Sequence, residues 1–357
     1  MIFKNGSLFG KTIDFEVKNG KFEKIGNLGC ENNDNAEIID LNGADVYPGL
    51  VDIHTHGCVG FDTMDASFEK MSEFQLKNGV TCFLPTTMTM PVEKIKEAVT
   101  SDVSKYKNIG GFHLEGPYIN EKYKGAQNKD YIKNPDLNDF ANLESVKIVT
   151  LAPESDNAIN YIKNSGFKIA LGHTSCDYDT AISAIDAGAD CVTHIFNAMP
   201  PMHHRNPSLI GAAIEKDIFA QVICDGLHIH KSVIKMLYKT FTSDKLILIS
   251  DSMRATGLCD GEYEFGGQQI TVSGGVARTK DGAIAGSTSS LLDCVKKAIE
   301  FNIPKEEAFK MASDTPAKYI NVKKGQIKPG YDADFFIADD KLNVLKTYIG
   351  GEIVYEG

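Results

Sequence analysis

His54 and His56, separated by one threonine, are the first side chains in the sequence whose type and spacing could hold a metal ion. On a strand, residues two apart face the same side, so both imidazoles can grip one divalent ion. Groups of the same chemical kind follow: Glu115 in His-Leu-Glu-Gly-Pro, His173 in Gly-His-Thr and His194 in Thr-His-Ile-Phe-Asn. Imidazole and carboxylate together suit zinc, iron and other first-row metals. One carboxylate can bridge two ions, which makes Glu115 the natural shared ligand. Asp251 is the candidate for proton transfer, because hydrolysis at a metal needs a group that takes a proton from water and later returns it to the leaving group. An N-cap for the segment that follows is the other role an aspartate could have there.

These residues must be positioned by something, and the central part of the chain shows how. Eight short apolar runs alternate with helical segments, near Val51–Ile53, Cys82–Leu84, Ile109–Phe112, Ile148–Leu151, Lys168–Leu171, Cys191–Thr193, Phe219–Ile223 and Leu246–Ile249. Amphipathic stretches at Phe68–Leu76, Ala158–Lys163 and Thr180–Ala187 lie between them. The rhythm predicts a parallel sheet of βα units, either a closed (β/α)8 barrel or an open doubly wound sheet. The ends of the runs discriminate. His54-Thr55-His56, His113 to Pro117, His173, His194, Asp225 to His228 and Asp251 follow six different runs. A barrel gathers chemistry from many strand ends on one face, whereas an open sheet concentrates it at one switch point.

The first 47 residues and the last 35 read differently, as short strands and turns: Ile13, Phe15 and Val17 alternate with polar neighbours before an Asn19-Gly20 hairpin, and strand-like runs surround Gly350-Gly351. Each end is too small to bury a core alone, so the two are predicted to pack as one small β domain. Gly266-Gly267 and Gly274-Gly275 mark turns of a β excursion after the eighth run. The formal charge of the 357-residue chain is −11, from 37 Lys+Arg against 48 Asp+Glu, which argues against nucleic acid or an anionic membrane surface as partner. No apolar run approaches the roughly 18 residues of a membrane span, and the start lacks a signal-peptide core, so a soluble cytoplasmic protein is expected. Eight scattered cysteines, without a Cys-x-x-Cys pair, are read as reduced core thiols.

The motifs PGLVDIHTHG, GFHLEGPYIN, LGHT, THIFNAMPPMHHR, DGLHIH, SDSMRATG and GAIAGS, with the closing IKPGYDADFFIADD and TYIGGEIVYEG, resemble those of the amidohydrolase superfamily and, within it, the deacetylases of phosphorylated N-acetyl amino sugars. The resemblance covers essentially the whole chain. It implies a TIM-like (β/α)8 catalytic barrel over residues 48–322 and a small β-sandwich domain from residues 1–47 and 323–357. It also implies metal-dependent hydrolysis of N-acetyl-D-glucosamine 6-phosphate to D-glucosamine 6-phosphate and acetate, in amino-sugar catabolism and cell-wall sugar recycling. Glu115, His173 and His194 match the family's metal ligands. His54 and His56 match the second-metal ligands of binuclear members, so one or two ions per subunit are expected, zinc or iron. Asp251 matches the catalytic acid/base and a further metal contact, and His228 the histidine on the acetyl carbonyl.

Other matches imply substrate contacts: Asn197, Ala198, Gly226, Leu227 and Ile284, Ala285 and Gly286, together with Ala126 and Gln127, where many relatives carry histidine at the second position. Arg205, with His204 beside it, matches an arginine that reaches the phosphate from the neighbouring subunit of a homodimer, and a guanidinium pairs well with phosphate oxygens. An exposed basic loop is the plain alternative for His203-His204-Arg205. Amidohydrolases of cyclic amides or dipeptides place a bridging lysine after the fourth strand, where this chain has Leu151-Ala152-Pro153. A metal-free barrel serving as an interaction protein would be expected to lack several of the ligands present here.

Overall fold

The computed structural model describes residues 1–26, 28 and 37–357. Its centre is a sheet of eight parallel strands, paired in sequence order: Leu50–Thr55, Val80–Thr87, Phe112–Glu115, Val146–Leu151, Lys168–Leu171, Cys191–Val192, Phe219–Ile223 and Leu246–Ile249. The eighth and first strands meet where Asp251 N donates to the His54 carbonyl at 2.9 Å and Ser250 Oγ to Asp52 Oδ2 at 2.5 Å, so the barrel is nearly closed. Alternate residues face opposite ways. Phe83, Val149, Val222 and Leu248 pack outward against helix residues such as Ile95, Leu237 and Val295. Leu84, Ile148, Ile223, Ile247 and Ile249 form a separate buried cluster with Tyr319 and Ile320. This period of two is the pleat of a strand buried on both faces, and it fills the barrel with side chains.

Seven of the eight strands fall where the apolar runs predict them. The third is displaced: it spans Phe112–Glu115, beyond the predicted Ile109–Phe112. Gly110 and Gly111 interrupt the run, and Ile109 contributes only an isolated bridge to Phe83. Glu115 therefore ends a strand, and His54 lies within one. The three amphipathic stretches form helices Glu69–Lys77, Ala158–Asn164 and Tyr178–Ala187.

The chain ends build one eight-stranded sheet, joined where Asp45–Pro48 pairs antiparallel with Phe335–Ala338. Asn19 and Gly20, with φ of +52° and +73°, turn the hairpin between Lys11–Lys18 and Lys21–Gly26, the conformation that matches the twist of its strands. Phe15 on one half of the sheet meets Phe335 on the other at a ring distance of 5.0 Å, with Phe3, Phe22 and Tyr348 packed around them. The predicted sandwich is thus a single sheet curled over its own aromatic core. Seven cysteines are free thiols, all buried except Cys259; Cys30 lies outside the described residues. No helix among the described residues is long and apolar enough to cross a membrane.

Candidate metal centre

Glu115, at the end of the third strand, is the hub of the barrel rim. Its Oε1 lies 3.2 Å from His54 Nε2, 3.2 Å from His173 Nε2 and 3.1 Å from His194 Nε2, and its Oε2 lies 3.2 Å from His56 Nε2. Asp251 Oδ1 sits 3.5 Å from His54 Nε2 and 3.3 Å from His56 Nε2. Two groups able to hold a metal ion result, His54 with His56 and Glu115, and Glu115 with His173 and His194. Asp251 is no N-cap: its carboxylate faces the imidazoles, and its carbonyl accepts from Ser287 N.

The donor set fits a divalent cation. His54 Nδ1 donates to Gln221 Oε1 at 3.0 Å, His56 Nδ1 to the Thr86 carbonyl at 3.1 Å and His173 Nδ1 to the Tyr123 carbonyl at 2.8 Å. Each bond fixes the tautomer that leaves the Nε2 lone pair facing the centre. His194 Nδ1 is buried without a partner among the described residues. Electrostatics agree. Burial works against a charged His56, but hydrogen bonds and charge from Asp251 and Glu115 outweigh it and raise its pKa to about 10. His54 is raised for the same reason, with Glu115 as the main counterweight to burial. Burial would push Glu115 up, yet His173 and His54 hold it well below the usual carboxylate range. Asp251 is likewise lowered by His54 and His56 against its own burial. The carboxylates demand positive charge where the four Nε2 atoms converge, and a metal ion meets that demand with the imidazoles neutral.

His113 stays outside this set. Burial pulls its pKa well down, and the neutral ring donates from Nδ1 to the Ile53 carbonyl at 3.0 Å and accepts at Nε2 from Thr150 Oγ1 at 2.8 Å. The two rings, His113 and His54, meet edge to face at 4.6 Å, so His113 supports a ligand from behind. His230 caps the helix Lys231–Lys245 through Ser232.

Above the cluster opens a cavity of about 390 Å³. Ala126, Gln127, Asn197, Ala198, His228, Ile284 and Gly286 line it, with Asp251, His56, Glu115, His173 and His194 at its floor. Asp225 holds His228: Oδ2 accepts from His228 Nδ1 at 2.6 Å while Oδ1 accepts from the amides of Leu227 and His228. Burial disfavours the imidazolium, but the Asp225 carboxylate overcomes it and raises the His228 pKa. Five predicted substrate contacts are not on the wall. Ala285 is buried behind it, Leu227 is half exposed, and Gly226 packs toward Phe301 and Lys297. His204 and Arg205 lie on an exposed loop outside the cavity of their own chain, with Arg205 Nη1 2.8 Å from His204 Nε2.

The wall also holds Lys122, Tyr123 and Phe265, which no motif in the sequence marks as site residues, and Met88, which the sequence reads as a packing residue. Lys122 and Tyr123 are close enough to Ala126-Gln127 in sequence to have been found with them. Phe265 comes from the three-stranded β excursion, Gly261–Phe265, Gln268–Ser273 and Val276–Thr279, and its ring stands 5.4 Å from His56. Gln268 Nε2 donates to the Ala126 carbonyl at 2.6 Å, tying the excursion over the cavity. Such a contact between distant segments leaves no local signal.

Comparison with known proteins accords with this geometry. The family model described as the amidohydrolase family matches residues 46–354. The chain belongs to the amidohydrolase family. This amidohydrolase is 38% identical over 335 residues to an N-acetylglucosamine-6-phosphate deacetylase of Bacillus subtilis, covering 87% of this chain and 84% of the relative. It is 32% identical over 327 residues to an N-acetylgalactosamine-6-phosphate deacetylase of Escherichia coli, covering 86% of each. Among solved structures, an Asp-to-Ala variant of the Mycobacterium smegmatis N-acetyl-D-glucosamine-6-phosphate deacetylase, in complex with N-acetyl-D-glucosamine 6-phosphate, superposes with a TM-score of 0.91 at 29% identity over 99% of both chains.

Proposed function

We propose that this amidohydrolase hydrolyses N-acetyl-D-glucosamine 6-phosphate to D-glucosamine 6-phosphate and acetate. The observation that carries the reading is Glu115 shared between two imidazole pairs, with Asp251 beside one pair at the floor of a cavity walled by His228. A divalent ion, zinc or iron, held by Glu115 with His173 and His194 and by His54 and His56 where a second is present, supplies an acidic water and Lewis-acid polarisation of the amide. Asp251 takes the proton of the attacking water and returns it to the sugar nitrogen as the C–N bond breaks. His228, its Nδ1 engaged by Asp225, donates from Nε2 to the acetyl carbonyl as negative charge develops there.

Asn197, Ala198, Ala126, Gln127 and the Ile284–Gly286 segment form the sugar's walls, with Gly226 and Leu227 shaping the His228 turn. Arg205, assisted by His204, reaches the phosphate from the partner subunit of a homodimer; its exposed position away from its own cavity supports that assignment. We take residues 48–322 as the catalytic unit and residues 1–47 with 323–357 as the small domain. Buried free thiols suit a cytoplasmic enzyme of amino-sugar catabolism. The test is metal analysis together with acetate release from phosphorylated and unphosphorylated N-acetylglucosamine. Release with strong preference for the phosphorylated sugar is expected. Equal rates would remove the phosphate pocket, and no release from either would overturn the reading. The galacto epimer belongs in the same assay, since one relative of similar length carries that name.

A further inference from the structure

Gln127 is one of the most buried polar side chains on the cavity wall, 3% exposed, and both ends of its amide are committed. Thr89 N donates to Gln127 Oε1 at 2.6 Å, and Gln127 Nε2 donates to Glu115 Oε2 at 2.6 Å. A backbone N–H can only donate, so the first bond settles which end of the amide is oxygen and makes the second an N–H to carboxylate bond. Thr89 is itself fixed. A Cβ built on Gly116, whose φ is +81°, would lie 2.2 Å from Thr89 Oγ1, so the Thr89 segment rests directly on the residue that follows Glu115.

The two oxygens of Glu115 are therefore unequal. Oε1 faces His54, His173 and His194, while Oε2 faces His56 and carries the Gln127 hydrogen bond. A carboxylate free to turn about its last torsion could swing Oε2 away from His56; one held at Oε2 keeps that oxygen toward His56 and Oε1 among His54, His173 and His194. We propose that Gln127 is a positioning residue that locks Glu115 in its bridging orientation and so sets the metal affinity of the His54/His56 side. Its side chain walls the cavity, but its hydrogen bonds go to Thr89 N and to the metal ligand Glu115. The inference rests on the metal reading of the site but not on the identity of the substrate.

The test is stepwise withdrawal of metal by a chelator from the cobalt(II)-loaded full-length enzyme, counting bound ions and following the visible d–d absorption. In the wild type two steps are expected, and His56→Asn should remove one of them, assigning it to the His54/His56 side. In Gln127→Met, of similar length but without a donor, that same step should move to about 10–100-fold lower affinity, with the other step shifted less than about threefold and the far-ultraviolet spectrum unchanged. Gln127→Leu provides a second variant without a donor should the first fold poorly. Steps that stay in place, or that weaken together, would overturn the inference, as would a wild type holding a single ion. A wild type that binds no metal would instead overturn the metal reading on which it rests.

Discussion

His54 lies within the first barrel strand and His56 follows directly after its end at Thr55, whereas His173 and His194 each stand two residues past the end of a different strand and adopt left-handed backbone, with φ of +47° and +28°. The strand pair is held by extended structure, by Gln221 and the Thr86 carbonyl, and by two carboxylates, Glu115 and Asp251. Of these two carboxylates, the loop pair shares only Glu115. Its charge balance is correspondingly different: carboxylates raise His54 and His56, while burial prevails at His194 and lowers it. One pair is thus built by secondary structure and charge, the other by loops held in sparsely populated conformations, as functional sites often are. Asp251 belongs with the strand pair in contacts but with the loop pair in backbone, since its φ is +46°.

The hardest blow to this contrast would fall on Asp251. Asp251→Asn removes the proposed proton acceptor beside the strand pair and should lower kcat by about 10²–10⁴-fold, the usual worth of general acid/base catalysis. Glu115 and the four imidazoles remain, so ion content should stay near the wild-type value. Loss of metal along with rate would show that Asp251 serves as a ligand first. A kcat close to wild type would remove it from the mechanism.

The two pairs should also respond to different supporting residues. Gln221→Leu deletes the acceptor that fixes the His54 tautomer and should weaken ion binding at the strand pair by about 10–100-fold. Glu154 does the corresponding work for the loop pair: it accepts from the Thr174 hydroxyl, from Ser175 N at 2.5 Å and from Asn120 Nδ2 at 2.9 Å, pinning the turn that follows His173. Glu154→Ala should weaken the loop pair over the same range and leave the strand pair nearly unchanged. Differential chelation separates the cases, and a common response to both substitutions would mean that the centre behaves as a single unit.

This contrast also explains what could be read from the sequence. His54-Thr55-His56 announces itself because a two-residue spacing on a strand fixes a common face. His173 and His194 are legible only as chemistry-bearing residues at the ends of predicted strands, and Glu115 stands out by its type even though its strand begins three residues later than the apolar run predicts. Gln221, Glu154 and Phe265 were invisible as site residues. Their roles depend on how the seventh strand, the loop after the fourth and the β excursion pack against distant partners, and no local spacing encodes that. The paired termini are legible for the opposite reason: each is short, strand-like and unable to bury a core alone.

A pH profile probes the cavity wall between the pairs. The His228 pKa is raised, so the stabilisation from its charged form is complete below the ordinary value of about 6.5 and lost as pH rises through the higher folded value. Asp225 is lowered, its burial outweighed by the hydrogen bond and charge of His228, so its contribution is complete above the ordinary carboxylate value and lost as pH falls through the lower folded one. The ion pair is intact between those limits. Asp225→Asn should move the alkaline limb of kcat/KM attributable to His228 toward about 6.5. An unmoved limb would assign it to another group.

The smallest effect is expected at Lys122, and it bears on why the loop side is irregular. Lys122 is the only lysine or arginine among the described residues lining the cavity, and it immediately precedes Tyr123, whose carbonyl accepts from His173 Nδ1. The same loop would then support a metal ligand through its backbone and draw an anionic substrate through a side chain. An exposed ammonium contributes only about 0–1 kcal/mol to an ion pair, so Lys122→Gln should raise KM for the phosphorylated sugar by up to roughly fivefold. It should leave kcat and the unphosphorylated sugar unaffected, and the KM difference should shrink as salt is added. Arg205→Gln, removing a bidentate donor, should have the larger effect if it acts from a partner subunit, and mixing it with Asp251→Asn subunits should restore activity in the heterodimers that pair an intact Asp251 with a neighbour's intact Arg205. A Lys122→Gln effect exceeding that of Arg205→Gln would transfer the phosphate contact to the loop of the same chain, making the loop side of the centre the substrate side as well.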